Sequence, residues 1–433
     1  MKQLLLKNIG TLVVDTQGKR VLCGQEMSHL ECVNDAWLLI EDGRFKDWGP
    51  SSPSPSKGGK HPTALSCPAD GLPSLEEQTV VADAQGGTVI PSFCDSHTHL
   101  VYAGSREDEF VDKIRGLSYA EIARRGGGIL NSADRLHQLS EDELYEQAMP
   151  RINEIIRKGT GAVEIKSGYG LNTEDELKML RVIRRIKETA PLAVVATFLG
   201  AHTVSRAYTG RQKEYVDLVV NEMIPEVGRQ GLADFIDVFC DKGFFTPEET
   251  ARMLEAGLKW GLRGKIHGQE LADSGGVEVA LRYGAQSVDH LESMTDADIH
   301  LLKHQGEGPL PTALPGTSFF LNMPFAPGRK MIEAGLPLAI ASDYNPGSTP
   351  SGDMKFVVSL ACIKMRLLPE EALNAATLNA AAAMGLSQNY GTIAKGKVAN
   401  FFITEPMKSV SYLPYAYTSP VIRRVFLSGE EIQ

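Results

Sequence analysis

Eight short apolar runs recur through the middle of this 433-residue chain, and that recurrence limits its fold more than any other feature. They cover 88–93, 161–165, 194–199, 235–239, 264–266, 287–289, 309–314 and 337–341. The stretches 174–188, 247–260 and 275–283 lie between them, with apolar residues at helical spacing. Strands separated by helices pair in parallel, because each crossover helix returns the chain to the same end of the sheet. Eight such β/α units over roughly 260 residues predict a distorted (β/α)8 TIM barrel. A doubly wound open sheet is the rival. It gains nothing from a dinucleotide motif, since no G-x-G-x-x-G follows an early strand.

Both ends read as β. Apolar runs at 12–14 and 37–40 precede the hairpin signal Asp42-Gly43 and a return strand at 45–48. The C-terminal stretches 396–403 and 421–427 repeat the pattern, the second closed by Ser428-Gly429. Each end is thin for a domain. Together, 1–88 and 389–433 predict a small composite β-sandwich beside a barrel over 89–388. The stretch 51–78 is rich in Ser, Pro, Gly and Lys and reads as a loop without chemistry.

A formal net charge of −10 argues against nucleic-acid binding, because an acidic surface repels phosphates. The densest basic stretch, 181–187, has helical spacing and acidic neighbours and reads as a solvated helix face. The longest apolar stretch, 192–201, is too short to span a bilayer, so no membrane partner is expected. Cysteines stand at 23, 32, 67, 94, 240 and 362 with no C-x-x-C pair, which predicts reduced thiols in the cytoplasm.

Barrel chemistry sits on the loops after the strands. Five of the ten histidines fall there: His97, His99, His202, His267 and His290. His97 and His99, two apart on an extended strand, point the same way and can share an ion. His267 and Asp343 complete a set of nitrogen and oxygen donors suited to zinc or iron, with a position left for water. The stretch after the seventh run, 315–318, offers only small groups. His300 and His304 are four apart on a helix but lack the Glu between them that a zincin carries, and read as surface residues. Lys242 reads as a turn lysine rather than a carbamylated bridge, so one divalent ion is expected.

These residues together resemble the amidohydrolase superfamily. The strings Glu164-Ile165-Lys166-Ser167-Gly168-Tyr169-Gly170-Leu171, Gly200-Ala201-His202, Lys265-Ile266-His267 and Ser342-Asp343-Tyr344-Asn345-Pro346-Gly347-Ser348 are similar to its branch that opens an imidazolone ring. So are Gly104-Ser105-Arg106-Glu107 and Gly126-Gly127-Gly128-Ile129. The resemblance implies hydrolysis of the cyclic amide 4-imidazolone-5-propanoate to N-formimidoyl-L-glutamate, by a homodimer. Its metal set is His97, His99, His267 and Asp343. Catalysis falls to Asp343 and His290, with Glu270 relaying a proton. The substrate meets Arg106, Tyr169, His202, Glu270, Asn345, Gly347 and Ser348. The Arg106 fork matches the propanoate tail, the alternative being a surface ion pair with Glu107 or Asp108. Tyr119 is a weaker candidate for the same pocket. Ser92, Cys94 and Asn400 depart from the family pattern. Two other functions stay open: an aminohydrolase releasing ammonia from an aminated heterocycle, and a barrel that serves only as an assembly subunit.

Overall fold

The computed structural model describes residues 2–51, 79–117, 121, 127–304 and 308–433. Tyr119, Cys67 and all but the first residue of the 51–78 stretch lie outside them. The chain opens with β1 (Gln3–Val14), β2 (Glu31–Glu41) and β3 (Arg44–Pro50), an antiparallel meander. Asp42 (φ 47°) and Gly43 (φ 74°) form the turn, both in the left-handed region that a two-residue hairpin demands. β4 (Val80–Asp83) and β5 (Thr88–Pro91) then run parallel to β1 on its other edge.

The barrel strands follow. They are β6 (Phe93–Asp95), β7 (Thr160–Lys166), β8 (Ala193–Ala201), β9 (Phe235–Cys240), β10 (Arg263–Gly268), β11 (Ser287–His290), β12 (Leu310–Ala313) and β13 (Ala339–Ile340). All pair in parallel, each with its sequence neighbours. The C-terminal strands β14 (Phe401–Thr404), β15 (Ile422–Leu427) and β16 (Glu430–Glu431) return to the first sheet, where β14 pairs antiparallel with β5. The result is a nearly closed eight-stranded barrel and a separate mixed sheet built from both ends of the chain. A core that includes Leu6, Leu38, Val89, Phe401 and Phe426 fills the sheet.

The apolar run 88–93 is not one barrel strand. Thr88–Pro91 belongs to the terminal sheet, and only Phe93–Asp95 enters the barrel. The change of sheet falls at Ser92, whose N–H donates to Asn400 (3.0 Å), while the next N–H, of Phe93, donates to Gly159 (2.9 Å). Asn400 also ties the two bodies together, donating Nδ2–H to the Gly161 carbonyl (2.9 Å) and accepting from Ser428 N–H (2.7 Å).

Helices cover the barrel strands from outside. The helix Glu141–Arg157 starts at Ser140, whose Oγ accepts from Glu143 N–H while the Glu143 carboxylate accepts from Ser140 N–H. Such a cap contributes about 1 kcal/mol. The helix Thr173–Thr189 carries the basic stretch, and Arg181 and Arg185 pair there with Glu141 and Asp142. Among the described residues no helix is long and apolar enough to cross a membrane.

The first and last barrel strands meet just past their C-terminal ends. Asp95 accepts from Ser342 N–H (2.9 Å) and Oγ–H (2.5 Å). Asp343 N–H then donates to the His97 carbonyl (3.0 Å), and His99 N–H to the Tyr344 carbonyl (2.9 Å). The residues that close the barrel are thus those that carry its candidate ligands.

Candidate active site

His97 and His99 lie beyond the last ladder residue of β6. Thr98 between them bridges in parallel to Tyr344, so the backbone stays extended and both rings face the barrel axis side. Asp343 follows β13 with φ 55°, a left-handed turn that brings its carboxylate toward the imidazoles. Its Oδ1 lies 3.7 Å from His97 Nε2 and 3.5 Å from His99 Nε2. Tetrahedral ligands on bonds of about 2.1 Å stand roughly 3.4 Å apart, so this spacing is that of a metal site. His267, at the end of β10, lies 4.4 Å from His97 between ring centroids. Among the described residues two groups can hold an ion: His97 with His99 and Asp343, and His97 with His267 and His290. His97 joins them, and His290 enters as a further possible ligand.

Unpaired atoms test the fit. His97 Nε2 and His267 Nε2 are buried with no hydrogen-bond partner among the described residues. Each would carry a desolvation penalty of about 1–3 kcal/mol unless something binds there. Burial, then the Lys166 charge, holds His97 well below its usual pKa; burial, then His202, does the same for His99. Both are therefore neutral at pH 7, the form that ligates a cation. The donor set fits a divalent ion.

Behind the ligands lies a charged layer inside the barrel. His97 Nδ1 is 2.7 Å from Asp289 Oδ2, and His267 Nδ1 is 3.0 Å from Asp237 Oδ2. Lys166 Nζ bridges Glu164 (2.5 Å) and Asp237 (2.7 Å) and stands 3.7 Å from Asp289. Lys265 pairs with Glu164, donates to the Ser96 carbonyl (3.0 Å) and lies 3.8 Å from Asp289. All five are essentially unexposed. Burial alone would raise the Asp237 carboxyl; His267 and Lys166 outweigh it and hold it well below the usual range. Asp289 thus fixes the tautomer and tilt of His97, Asp237 stands beside the His267 ring, and two lysines fix the carboxylates.

A cavity of about 830 Å³ opens above the histidines, within the usual size for a small-molecule site. Arg106, Tyr169, His202, Glu270, Asn345, Gly347 and Ser348 all line it. His202 stacks on His99 at 5.1 Å, and its Nδ1 faces the Gly168 carbonyl at 3.0 Å. Burial presses its pKa down to about 3, so the ring is neutral and Nε2 is left as an acceptor. Tyr169 rests on a loop shaped by Glu176, whose carboxylate accepts from Gly168, Gly170 and Leu171 N–H.

Glu270 and His290 face each other at 3.6 Å. Burial holds the Glu270 carboxyl up to about 7. Burial would lower His290, but Glu270, Glu292 and Asp343 prevail and raise it to about 10. Four strand-end residues adopt left-handed backbone without being glycine: Gln269, His290, Leu291 and Asp343. Each is strained by about 1 kcal/mol or more, and the surrounding packing holds them there.

Arg106 is not free. Its Nε (2.9 Å) and Nη2 (2.6 Å) both donate to Glu109 Oε2, and both residues are buried. The partner is neither Glu107 nor Asp108. Asn345 accepts from Gly347 and Ser348 N–H and so shapes its own loop. Residues 315–318 do more than their size suggests. Thr317 Oγ donates to Asp343 Oδ2 (2.6 Å), and Ser318 Oγ donates to Glu292 (3.0 Å). Thr317, Asp237, Asp289 and Lys265 are site residues that strand-end reading misses. The available signal was the charged residues inside runs that a barrel buries on both faces. His300 is exposed on a helix, and Lys242 is an exposed turn lysine.

The amidohydrolase family model matches residues 88–432. Curated imidazolonepropionases align end to end. That of Christiangramia forsetii is 49% identical over 99% of this chain and 100% of its own length. That of Flavobacterium johnsoniae is 48% identical over 99% of each. Among solved structures, a triazine hydrolase variant superposes with a TM-score of 0.69 at 16% identity, covering 100% of this chain and 94% of its own. The guanine deaminase of E. coli gives 0.68 at 15% identity, covering 100% and 99%. These two share the fold. The chain belongs to the amidohydrolase family, in its imidazolonepropionase branch.

Proposed function

We propose that the chain hydrolyses 4-imidazolone-5-propanoate to N-formimidoyl-L-glutamate, a step of histidine degradation. One divalent ion, zinc or iron, is held by His97, His99, His267 and Asp343. The observation that carries the reading is a cavity that joins three of these ligands, His99, His267 and Asp343, to Arg106, in a chain 49% identical end to end to a curated imidazolonepropionase. When bound, the ion polarises the ring carbonyl and brings the pKa of water toward neutrality.

The chain's own groups supply the rest. Asp343 Oδ1 faces the imidazoles as the ligand oxygen, and Oδ2, positioned by the Thr317 and Ser348 hydroxyls, is the second oxygen that takes the proton of the attacking water. His290, kept cationic by its carboxylate neighbours, donates to the oxygen that gains charge. Glu270, near half-protonated at pH 7, passes a proton to the ring nitrogen as the amide C–N bond breaks. The carbonyl carbon becomes the α-carboxylate and that nitrogen stays on the formimidoyl group. His202 Nε2 accepts from a ring N–H, and Tyr169 closes the wall beside it. The reading extends to a cytoplasmic homodimer. The free thiols of Cys23, Cys32, Cys94, Cys240 and Cys362 support a reducing compartment.

The test is the absorbance decay of freshly prepared imidazolone propanoate with the purified protein, before and after chelation. Decay that needs the protein and stops on chelation is expected. No decay from metal-loaded protein would sink the substrate assignment, and ammonia release from guanine would favour the aminohydrolase reading instead.

A further inference from the structure

We propose that Lys113 supplies the net positive charge that holds the substrate's carboxylate tail, with the Arg106–Glu109 ion pair, neutral as a pair, shaping the site; this rests on the hydrolase reading above. The argument starts from charge. Arg106 spends Nε and Nη2 on Glu109, which is itself buried and further fixed by Gly128 N–H (3.0 Å) and Asn131 Nδ2–H (3.2 Å). The pair sums to zero, so it cannot balance a carboxylate brought out of water. A second cation is needed at the same end of the cavity.

Lys113 is there. It follows Glu109 by four residues on the helix Glu107–Ile114, so the two share a face. Both cations meet at Gly347. A Cβ on Gly347 would sit 2.2 Å from Arg106 Nη1, and the Gly347 carbonyl accepts from Lys113 Nζ at 2.8 Å. That bond uses one of three ammonium N–H groups. The Phe320 ring centroid is 5.7 Å away, and no carboxylate among the described residues lies within ion-pair distance. Half-burial, then the Arg106 charge, presses the ammonium below its usual pKa, a strain that an incoming carboxylate relieves. With Lys113 counted, Arg106, Glu109 and Lys113 sum to +1, matched to one carboxylate.

The bland alternative is that Lys113 only latches the Gly347 loop. Two ligands separate the readings: imidazole-4-propanoate and its primary amide, titrated calorimetrically into the full-length protein. Lys113→Met should weaken the acid about 10- to 100-fold and leave the amide unchanged, and Lys113→Arg should restore the acid. In turnover, KM for the imidazolone acid should rise by the same factor, with kcat changed by less. Equal weakening of acid and amide would mean a latch and overturn the proposal. So would acid binding within twofold of wild type, or no acid binding by the wild-type protein. The two readings fail separately: wild-type turnover with unchanged Lys113→Met binding rejects Lys113 alone, and acid-selective binding without turnover rejects the hydrolase alone.

Discussion

Asp289→Asn should loosen the divalent ion without touching a ligand. The side chain keeps its shape, and its remaining oxygen can still accept from His97 Nδ1, now 2.7 Å from Asp289. What disappears is charge. Glu164, Asp237 and Asp289 give −3 against +2 from Lys166 and Lys265, so the layer goes from −1 to zero. A hydrogen bond to a charged group contributes about 1.5–3 kcal/mol and a neutral one about 1. The difference, about 1–2 kcal/mol, measures how far the carboxylate raises the donor strength of His97. At 1.4 kcal/mol per tenfold, ion affinity should fall roughly 5- to 30-fold. Competition against a chromophoric zinc chelator reads that directly. The melting temperature of the metal-free protein separates a folding loss from a ligand effect. An affinity within twofold of wild type would refute the reasoning, as would a melting loss with affinity intact.

Three further outcomes follow from particular contacts. Gly347→Ala places a methyl 2.2 Å from Arg106 Nη1, so the Arg106–Glu109 pair must move; KM should rise at least tenfold while circular dichroism stays native. Glu176→Gln leaves one oxygen to serve the three backbone N–H groups of Gly168, Gly170 and Leu171, and should destabilise the protein by about 2 kcal/mol in thermal melts. Glu270→Gln removes the group held up to about 7 and should lower kcat about 100-fold with metal content unchanged; near-normal turnover would take Glu270 out of the proton relay.

The difference between what the sequence disclosed and what it hid has a physical cause. His97-x-His99 was legible because period-two alternation survives past the three-residue strand β6, through the bridge of Thr98 to Tyr344. His267 and Asp343 were legible because chemistry placed after parallel strands must face the same open end. The split of 88–93 between two sheets was not, since Thr88–Pro91 and Phe93–Asp95 are equally buried and only the partners of Ser92 and Phe93 tell them apart.

The charged layer was hidden for a stronger reason. A lone Lys265 or Asp237 inside an apolar run reads as the solvent side of a half-buried strand. Barrel closure removes that side altogether, and brings Lys166 to Asp237 across 71 positions and Lys265 to Glu164 across 101. No local pattern encodes such pairings. Yet a charge with no solvent face needs a partner of opposite sign. Once eight parallel strands are accepted, Glu164, Lys166, Asp237, Lys265 and Asp289 therefore have to find one another. Since Asp237 and Asp289 also face His267 and His97, the pairing that offsets all but one of the buried charges is the same pairing that aims the ligands. Lys166→Met should show this coupling: it leaves three carboxylates to one cation, so stability should fall by about 3–5 kcal/mol and zinc affinity with it. A variant that lost the stability but kept the affinity would mean that charge balance and ligand aim are separate properties of the barrel.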